Sequence, residues 1–233
     1  MAEGADHFAA TLAAYRAEVL RWNRRINLIS RQQPAGRLDA LIDQCDRALT
    51  ALLGAYPELC RGPLLYCDLG AGAGLPGFVW HERLIRQDAG TESWLVEPRD
   101  KRAWFLERVA RLGGSPAYGV LCGRWGDVAA SPATLRDTAL VSLKALRLKD
   151  PAVLAGMAAL RQGSGSLPGR VVIARFHPPD EVWSPDLAAA LGWGAAGGAT
   201  GPWRGDSAAV LPVVGPQGAD VALVVCTYVR DVA

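Results

Sequence analysis

Between Phe8 and Ile29 the apolar positions Leu12, Tyr15, Val19, Leu20, Trp22 and Ile26 return at three- and four-residue steps, which predicts an amphipathic helix. A second stretch of the same period runs from about Leu38 to Leu53 and stops near Gly54 and Pro57. After it the pattern changes to short apolar runs. Leu64-Leu65-Tyr66-Cys67-Asp68-Leu69 ends in a glycine-rich turn with helix-compatible sequence behind it, and Ser93 to Glu97 is a second such strand. A helix is predicted from Asp100 to Leu112, with Trp104, Leu106 and Val109 expected to be buried. Ala117 to Cys122, Ala139 to Ser142 and Arg170 to Arg175 read as further short strands, and alternation of this kind predicts a parallel sheet with helices on both faces. The chain end departs from it. Ala208 to Val214 and Val221 to Val229 are joined by Gly215-Pro216-Gln217-Gly218, a connection short enough only for an antiparallel hairpin. The Gly-, Ala- and Pro-rich stretch between Trp183 and Asp206 shows no period and is expected to be a loop. The two leading helices precede every strand, so residues 1–60 are expected to form an N-terminal helical extension on an α/β domain of residues 61–233.

Composition narrows the class. With 233 residues, 50% of them apolar and 21% charged, the chain can bury a core and is not globally disordered. A net charge of +2 does not by itself mark a nucleic-acid binder, although binding needs only a local basic patch. The five cysteines are scattered without C-x-x-C spacing and the three histidines form no H-E-x-x-H pattern, so neither a disulfide scaffold nor a metal site is expected. The opening MAEGADHF has acids where a secretory signal has bases, and the longest apolar run, Val221 to Val229, is too short to span a bilayer. A soluble protein of a reducing, cytoplasmic compartment is the expectation, with no membrane partner.

The candidate chemistry lies in Asp68-Leu69-Gly70-Ala71-Gly72-Ala73-Gly74-Leu75-Pro76-Gly77. Alternate glycines allow a tight turn, and that turn can bring peptide N–H groups and a helix N-terminus against a carboxylate or phosphate. Dinucleotide sites use similar spacing, and a plain β–α turn with no ligand remains a third reading. Asp68, just before the first glycine, is placed to orient the loop and to face a ligand ammonium; Glu97, at the end of the second strand, is placed to accept hydrogen bonds from ribose hydroxyls. A strand-end glutamate fits either nucleotide. The C-terminal hairpin separates them, because five parallel strands closed by such a hairpin are the layout of class I S-adenosylmethionine-dependent methyltransferases.

Three segments carry a more specific likeness: Trp22-Asn23-Arg24-Arg25-Ile26-Asn27-Leu28, the Asp68 to Gly77 loop with its L-P-G tail, and Glu97-Pro98-Arg99-Asp100-Lys101-Arg102 with Phe105-Leu106. Through them the chain resembles the bacterial small-subunit ribosomal RNA guanine-N7 methyltransferases, the glucose-inhibited division protein B family, from about Tyr15 to Asp150. The resemblance implies a Rossmann-like doubly wound α/β fold with an N-terminal helical cap, and S-adenosylmethionine as cofactor. It puts Gly70 and Leu75 at the methionine and ribose end, with Asp68, Gly72, Gly74, Glu97 and Lys144 in the same cofactor-binding set, and Trp125 and Gly126 beside the adenine. Trp125 can equally be a core anchor. The family's Arg-His pair in the second helix is replaced by Asp39 and Ala40, with Asp43 kept. Lys144 stands near an expected Arg, and Arg175 stands for a Lys at the end of the fifth strand.

N7 of guanine carries an in-plane lone pair and no proton, so methyl transfer to it asks for alignment and exclusion of water rather than a general base. No catalytic residue is therefore assigned. Arg124 and Lys144 are the candidate substrate-positioning residues, and Arg102 and Arg175 are further cations able to hold phosphates or the guanine O6, unless all four are ordinary surface charges. An RNA enzyme would gather Arg24, Arg25, Arg102, Arg124 and Lys144 around the pocket mouth. The expected function is N7-methylation of a guanine in small-subunit ribosomal RNA, with ribosomal RNA or the small-subunit particle as partner. The alternatives are a methyltransferase of the same fold acting on a small molecule or peptide, and a non-catalytic binding module.

Overall fold

The computed structural model describes residues 2–87, 90–115, 118–125, 136–159, 167–193, 202–215 and 218–230. Two helices, α1 (Ala2–Ile26) and α2 (Pro34–Ala55), lead through a short 3-10 turn at Pro57–Cys60 into β1 (Leu64–Leu69). Then follow α3 (Gly77–Gln87), β2 (Glu92–Glu97), α4 (Asp100–Ala110), β3 (Tyr118–Cys122), β4 (Thr138–Leu143), α5 (Asp150–Ala159), β5 (Arg170–His177), α6 (Pro185–Leu191), β6 (Trp203–Gly215) and β7 (Gly218–Arg230). The strands form one sheet in the order β3-β2-β1-β4-β5-β7-β6. The first five are parallel; β7 runs antiparallel to β5 and pairs with β6 as a hairpin.

Both faces of the sheet are covered, and strand residues alternate between two apolar clusters. Tyr66, Leu140, Val172 and Val225 pack under α1 to α4, while Leu65, Val141, Ile173 and Val224 pack under α5 and α6. This is why the parallel strands read as continuous apolar runs rather than as alternating ones. The leading helices are not peripheral in packing: Tyr15, Val19, Leu38, Leu49 and Leu52 lie in the same buried cluster as Phe78, Trp80 and Leu106. The strand order reverses between β1 and β4, and ligands of open α/β sheets bind at the carboxyl ends of strands at such a switch point.

Two sequence expectations are corrected here. Trp104 is 43% exposed, and the buried face of α4 is instead Ala103, Phe105, Leu106 and Val109. The stretch after Trp183 is not all loop. Ser184 caps α6 by accepting the Leu187 N–H, Pro185 opens it, and Gly192 closes it at a φ of 74°. The hairpin then begins at Trp203, earlier than expected. Among the described residues no helix is long and apolar enough to cross a membrane, no group of His, Cys, Asp or Glu has metal-ligand geometry, and the five cysteines are unpaired.

Candidate active site

The carboxyl ends of β1, β2 and β4 open onto a cavity of about 630 Å³. Its floor is the loop after β1 (Gly70, Ala71, Gly72, Ala73 and Leu75), and its sides are Glu97, Arg99 and Arg102, then Arg124 and Trp125, then Lys144, Ala145, Leu146 and Leu148. Leu28 and Ile29, just after α1, and Leu41 of α2 complete the lining. That volume is of the size that takes a nucleotide-like ligand.

The signature of α1 accounts for this wall. Asn23 Oδ1 accepts the N–H groups of Leu28 and Ile29 at 2.7 and 2.9 Å, and Asn27 adopts a φ of 55°. The helix is stopped there, and the chain turns so that Leu28 and Ile29 face the cavity. Asn27 also gives its carbonyl to Arg102 Nη2 at 2.9 Å. About two turns before Asn23, the Tyr15 hydroxyl donates to the Ala73 carbonyl at 3.0 Å while its ring stacks on Phe78, so α1 fastens the glycine loop from behind.

Most N–H groups of the loop already have acceptors, largely on the neighbouring strand β2. Gly70 N–H and Ala71 N–H both donate to the Val96 carbonyl, Gly74 N–H donates to the Ala71 carbonyl, and Gly72 N–H donates to Glu97 Oε2 at 2.9 Å. The first N–H of α3, on Gly77, is taken by Asp68 Oδ2 at 3.0 Å. This narrows the expectation that loop N–H groups and the helix end await an anion: only the N–H groups of Ala73 and Leu75 in the loop make no hydrogen bond among the described residues. A phosphate would find these five donors already used. The cavity offers acceptors instead, the loop carbonyls and the Glu97 carboxylate.

Asp68 is therefore a loop anchor and not a cavity group. It is buried beneath the turn, and its Oδ1 accepts from Ser142, which neighbours it in the β1–β4 register. Gly77 must lack a side chain, because a Cβ there would strike Leu95 and the Asp68 carboxylate. Burial raises the Asp68 pKa to about 6; hydrogen bonds from Ser142 and Gly77 and the charge of Lys144 oppose the rise, and Glu97 adds to it. The fold thus binds this proton more tightly than the unfolded chain does. The resulting stabilisation is complete below the ordinary value of 3.8 and is lost as pH rises through about 6. Asp68→Asn, neutral throughout, escapes that loss. Relative to it, the wild-type chain is expected to lose up to about 3 kcal/mol of unfolding free energy between about pH 4 and about pH 7 in urea titrations. A difference that does not change with pH would mean that the carboxylate is not held dry.

The remaining candidates divide. Gly70, Gly72, Leu75, Glu97, Arg124, Trp125 and Lys144 all border the cavity. Gly74 faces away from it, against Leu106 and Tyr15. Trp125 is mainly an anchor: its indole donates to the Val153 carbonyl at 2.8 Å and lies where any side chain on Gly156 would be, leaving only a buried edge to the cavity. Gly126 lies outside the described residues. Lys144 reaches Gln44 of α2 at 3.1 Å and sits 5.1 Å from the Phe176 ring centre. Arg175 is not available to a substrate, because it is buried and ion-paired to Asp150. Arg24 and Arg25 are outside the cavity wall, whereas Arg99, not foreseen as a pocket cation, is in it. Its place directly after the Glu97-Pro98 strand end was the available signal.

The family model described as rRNA small subunit methyltransferase G (GidB) matches residues 9–148. The ribosomal RNA small subunit methyltransferase G of Rhodospirillum centenum is 35% identical over 136 residues, 58% of this chain and 57% of that protein. Its counterpart from Granulibacter bethesdensis is 37% identical over 101 residues, 43% and 41% of the two chains. The chain spans about half the length of the curated relatives it matches. In fold it is similar to a variant of the 16S rRNA (adenine(1408)-N(1))-methyltransferase from Catenulisporales acidiphilia, with a TM-score of 0.50 at 12% identity over 77% of this chain and 93% of that one.

Proposed function

This chain belongs to the rRNA small subunit methyltransferase G family, and from that premise we propose that it transfers a methyl group from S-adenosylmethionine to N7 of a guanine in small-subunit ribosomal RNA. The observation that carries the cofactor is the glycine loop, most of whose N–H groups are already taken by Val96, Ala71 and Glu97. With few loop donors left, the cavity suits a ligand with an ammonium, one carboxylate, two ribose hydroxyls and an amino group better than a pyrophosphate. When bound, S-adenosylmethionine supplies an electrophilic methyl group. Glu97 would accept from its ribose hydroxyls, with lone pairs to spare beyond the Gly72 and Arg99 N–H groups it already serves. Gly70, Gly72 and Leu75 form the surface on which the rest would lie, with Trp125 at the adenine end.

The chain's own residues then have to hold a guanine still and keep water out. Among the described residues the cavity wall has no His or Cys, and the acceptor nitrogen has no proton to lose, so no general base is needed. Arg99, Arg102, Arg124 and Lys144 ring the opening, where guanidinium and ammonium groups can take phosphates or the guanine O6.

Parallel assays of tritiated methyl transfer to naked RNA, small-subunit particles and a small-molecule extract test the reading. Label is expected in RNA, with activity falling steeply as salt rises. Label confined to the small-molecule fraction, insensitive to salt, overturns it. Glu97→Gln is expected to weaken S-adenosylhomocysteine by about 1–2 kcal/mol, because the amide keeps one acceptor oxygen and loses the charge. Calorimetric titration reads this, and normal binding by Glu97→Ala would remove Glu97 from the ribose site.

A further inference from the structure

The outer side of α1 and α4 carries an aromatic and cationic strip that the cavity does not explain. Trp22 and Trp104 meet edge to face with ring centres 4.7 Å apart. The guanidinium groups of Arg21, Arg25 and Arg108 lie 5.4–5.7 Å from the Trp22 ring centre, and Arg108 also lies 5.6 Å from that of Trp104. Lys101, one helical turn before Trp104, is exposed and borders a shallow cavity with Arg99 and Arg102, the two residues that also line the main cavity. Lys101, beside Asp100 in that shallow cavity, thus stands between the pocket mouth and the turn that carries Trp104.

The seam between the helices does not require it. Phe105 and Leu106 already bury the α4 side of that contact, yet Trp104 stands 43% exposed. The other large exposed apolar side chains among the described residues are aliphatic: Leu146, Val182 and Val214. Arg21 and Arg108 are held by Glu18, whereas Arg25 and Lys101 have no acidic partner among the described residues. An exposed indole with such cations on its own helix and the neighbouring one is a platform for a base with its phosphates. On the reading that RNA is the substrate, we propose that this strip holds the single-stranded nucleotides flanking the target guanine. One base stacks on the open face of Trp104, and Arg25 and Lys101 neutralise phosphates beside it.

The test measures binding of a fluorescein-labelled single-stranded RNA dodecamer by anisotropy, with S-adenosylhomocysteine affinity measured alongside by calorimetry. Trp104→Ala is expected to weaken the RNA by about tenfold or more, with the salt slope and homocysteine-analogue affinity unchanged, and Trp104→Phe to keep most of the affinity. Arg25→Gln with Lys101→Gln should instead flatten the log–log salt slope by about 1.4. If Trp104→Ala binds and methylates RNA like the parent chain, the strip is overturned while the RNA reading stands. If the parent chain binds the cofactor analogue but no RNA, that reading falls and the strip with it. A Trp104→Ala chain that methylates naked RNA normally and fails only on small-subunit particles overturns the proposal in favour of a protein contact.

Discussion

Gly72→Val is expected to abolish S-adenosylhomocysteine binding, by a hundredfold or more, in a protein that still folds. Gly72 has a φ of 56°, which a β-branched residue tolerates at a cost of about 1–3 kcal/mol. Space is not the obstacle. A Cβ at this position would have the Gly70 carbonyl at 3.7 Å and Arg102 Nη1 at 3.8 Å as its nearest neighbours, both ordinary contacts. The side chain therefore projects into the cavity rather than into the protein. The valine methyls would occupy the ligand's volume, and strain in the turn would loosen the Gly72 N–H bond that sets the Glu97 carboxylate. Gly72→Ala, with the same backbone cost and one carbon in the cavity, should bind weakly rather than not at all. Calorimetry checks the binding, and circular dichroism with a urea curve checks the fold. Undiminished affinity in a folded Gly72→Val protein would remove the loop from the site.

The framework and the loop were legible because their signals are local. The apolar runs of β1 and β2, the glycines between β1 and α3, and the four-residue hairpin link each encode backbone geometry within a few positions. Even α6, passed over inside the Gly- and Ala-rich stretch, carries its own marks in Ser184-Pro185 and Gly192. What was not legible depends on which partner a group meets. In Trp104-Phe105-Leu106 three consecutive apolar residues cannot all face inward on a helix, and the sequence does not say which one turns out. Nothing in the loop reveals that Val96 and Glu97, on the neighbouring strand, consume its N–H groups, or that Tyr15 holds it from a helix 58 positions away. Cations pose the same problem. Arg124 and Arg175 look alike in the sequence, yet one is exposed at the pocket and the other is sealed against Asp150.

Arg175→Met is expected to cost about 3–5 kcal/mol of stability, and adding Asp150→Asn should restore most of it. Asp150, fully buried at the start of α5, faces the Arg175 guanidinium on one side and accepts the Tyr228 hydroxyl on the other. Removing Arg175 alone leaves a carboxylate in a dry site with only the neutral Tyr228 hydroxyl and Cys226 thiol as side-chain donors. Such a charge loses far more solvation than these two return. In the double variant no charge remains, methionine fills the volume of the arginine stem, and asparagine keeps the short polar side chain suited to a helix start. The pair is also incompletely satisfied, since Arg175 Nη1 has no partner among the described residues. That is the circumstance in which a neutral replacement approaches the parent's stability. The site would register the change, because Arg175 Nη2 donates to the Leu148 carbonyl at 3.0 Å and Leu148 belongs to the cavity wall. The double variant should therefore regain stability in urea titrations while the Lys144 to Leu148 segment stays less well fixed, which raises KM for the methyl acceptor more than it changes kcat. A single Arg175→Met variant that loses less than about 1 kcal/mol would show that water reaches Asp150, and that this pair does not brace the wall.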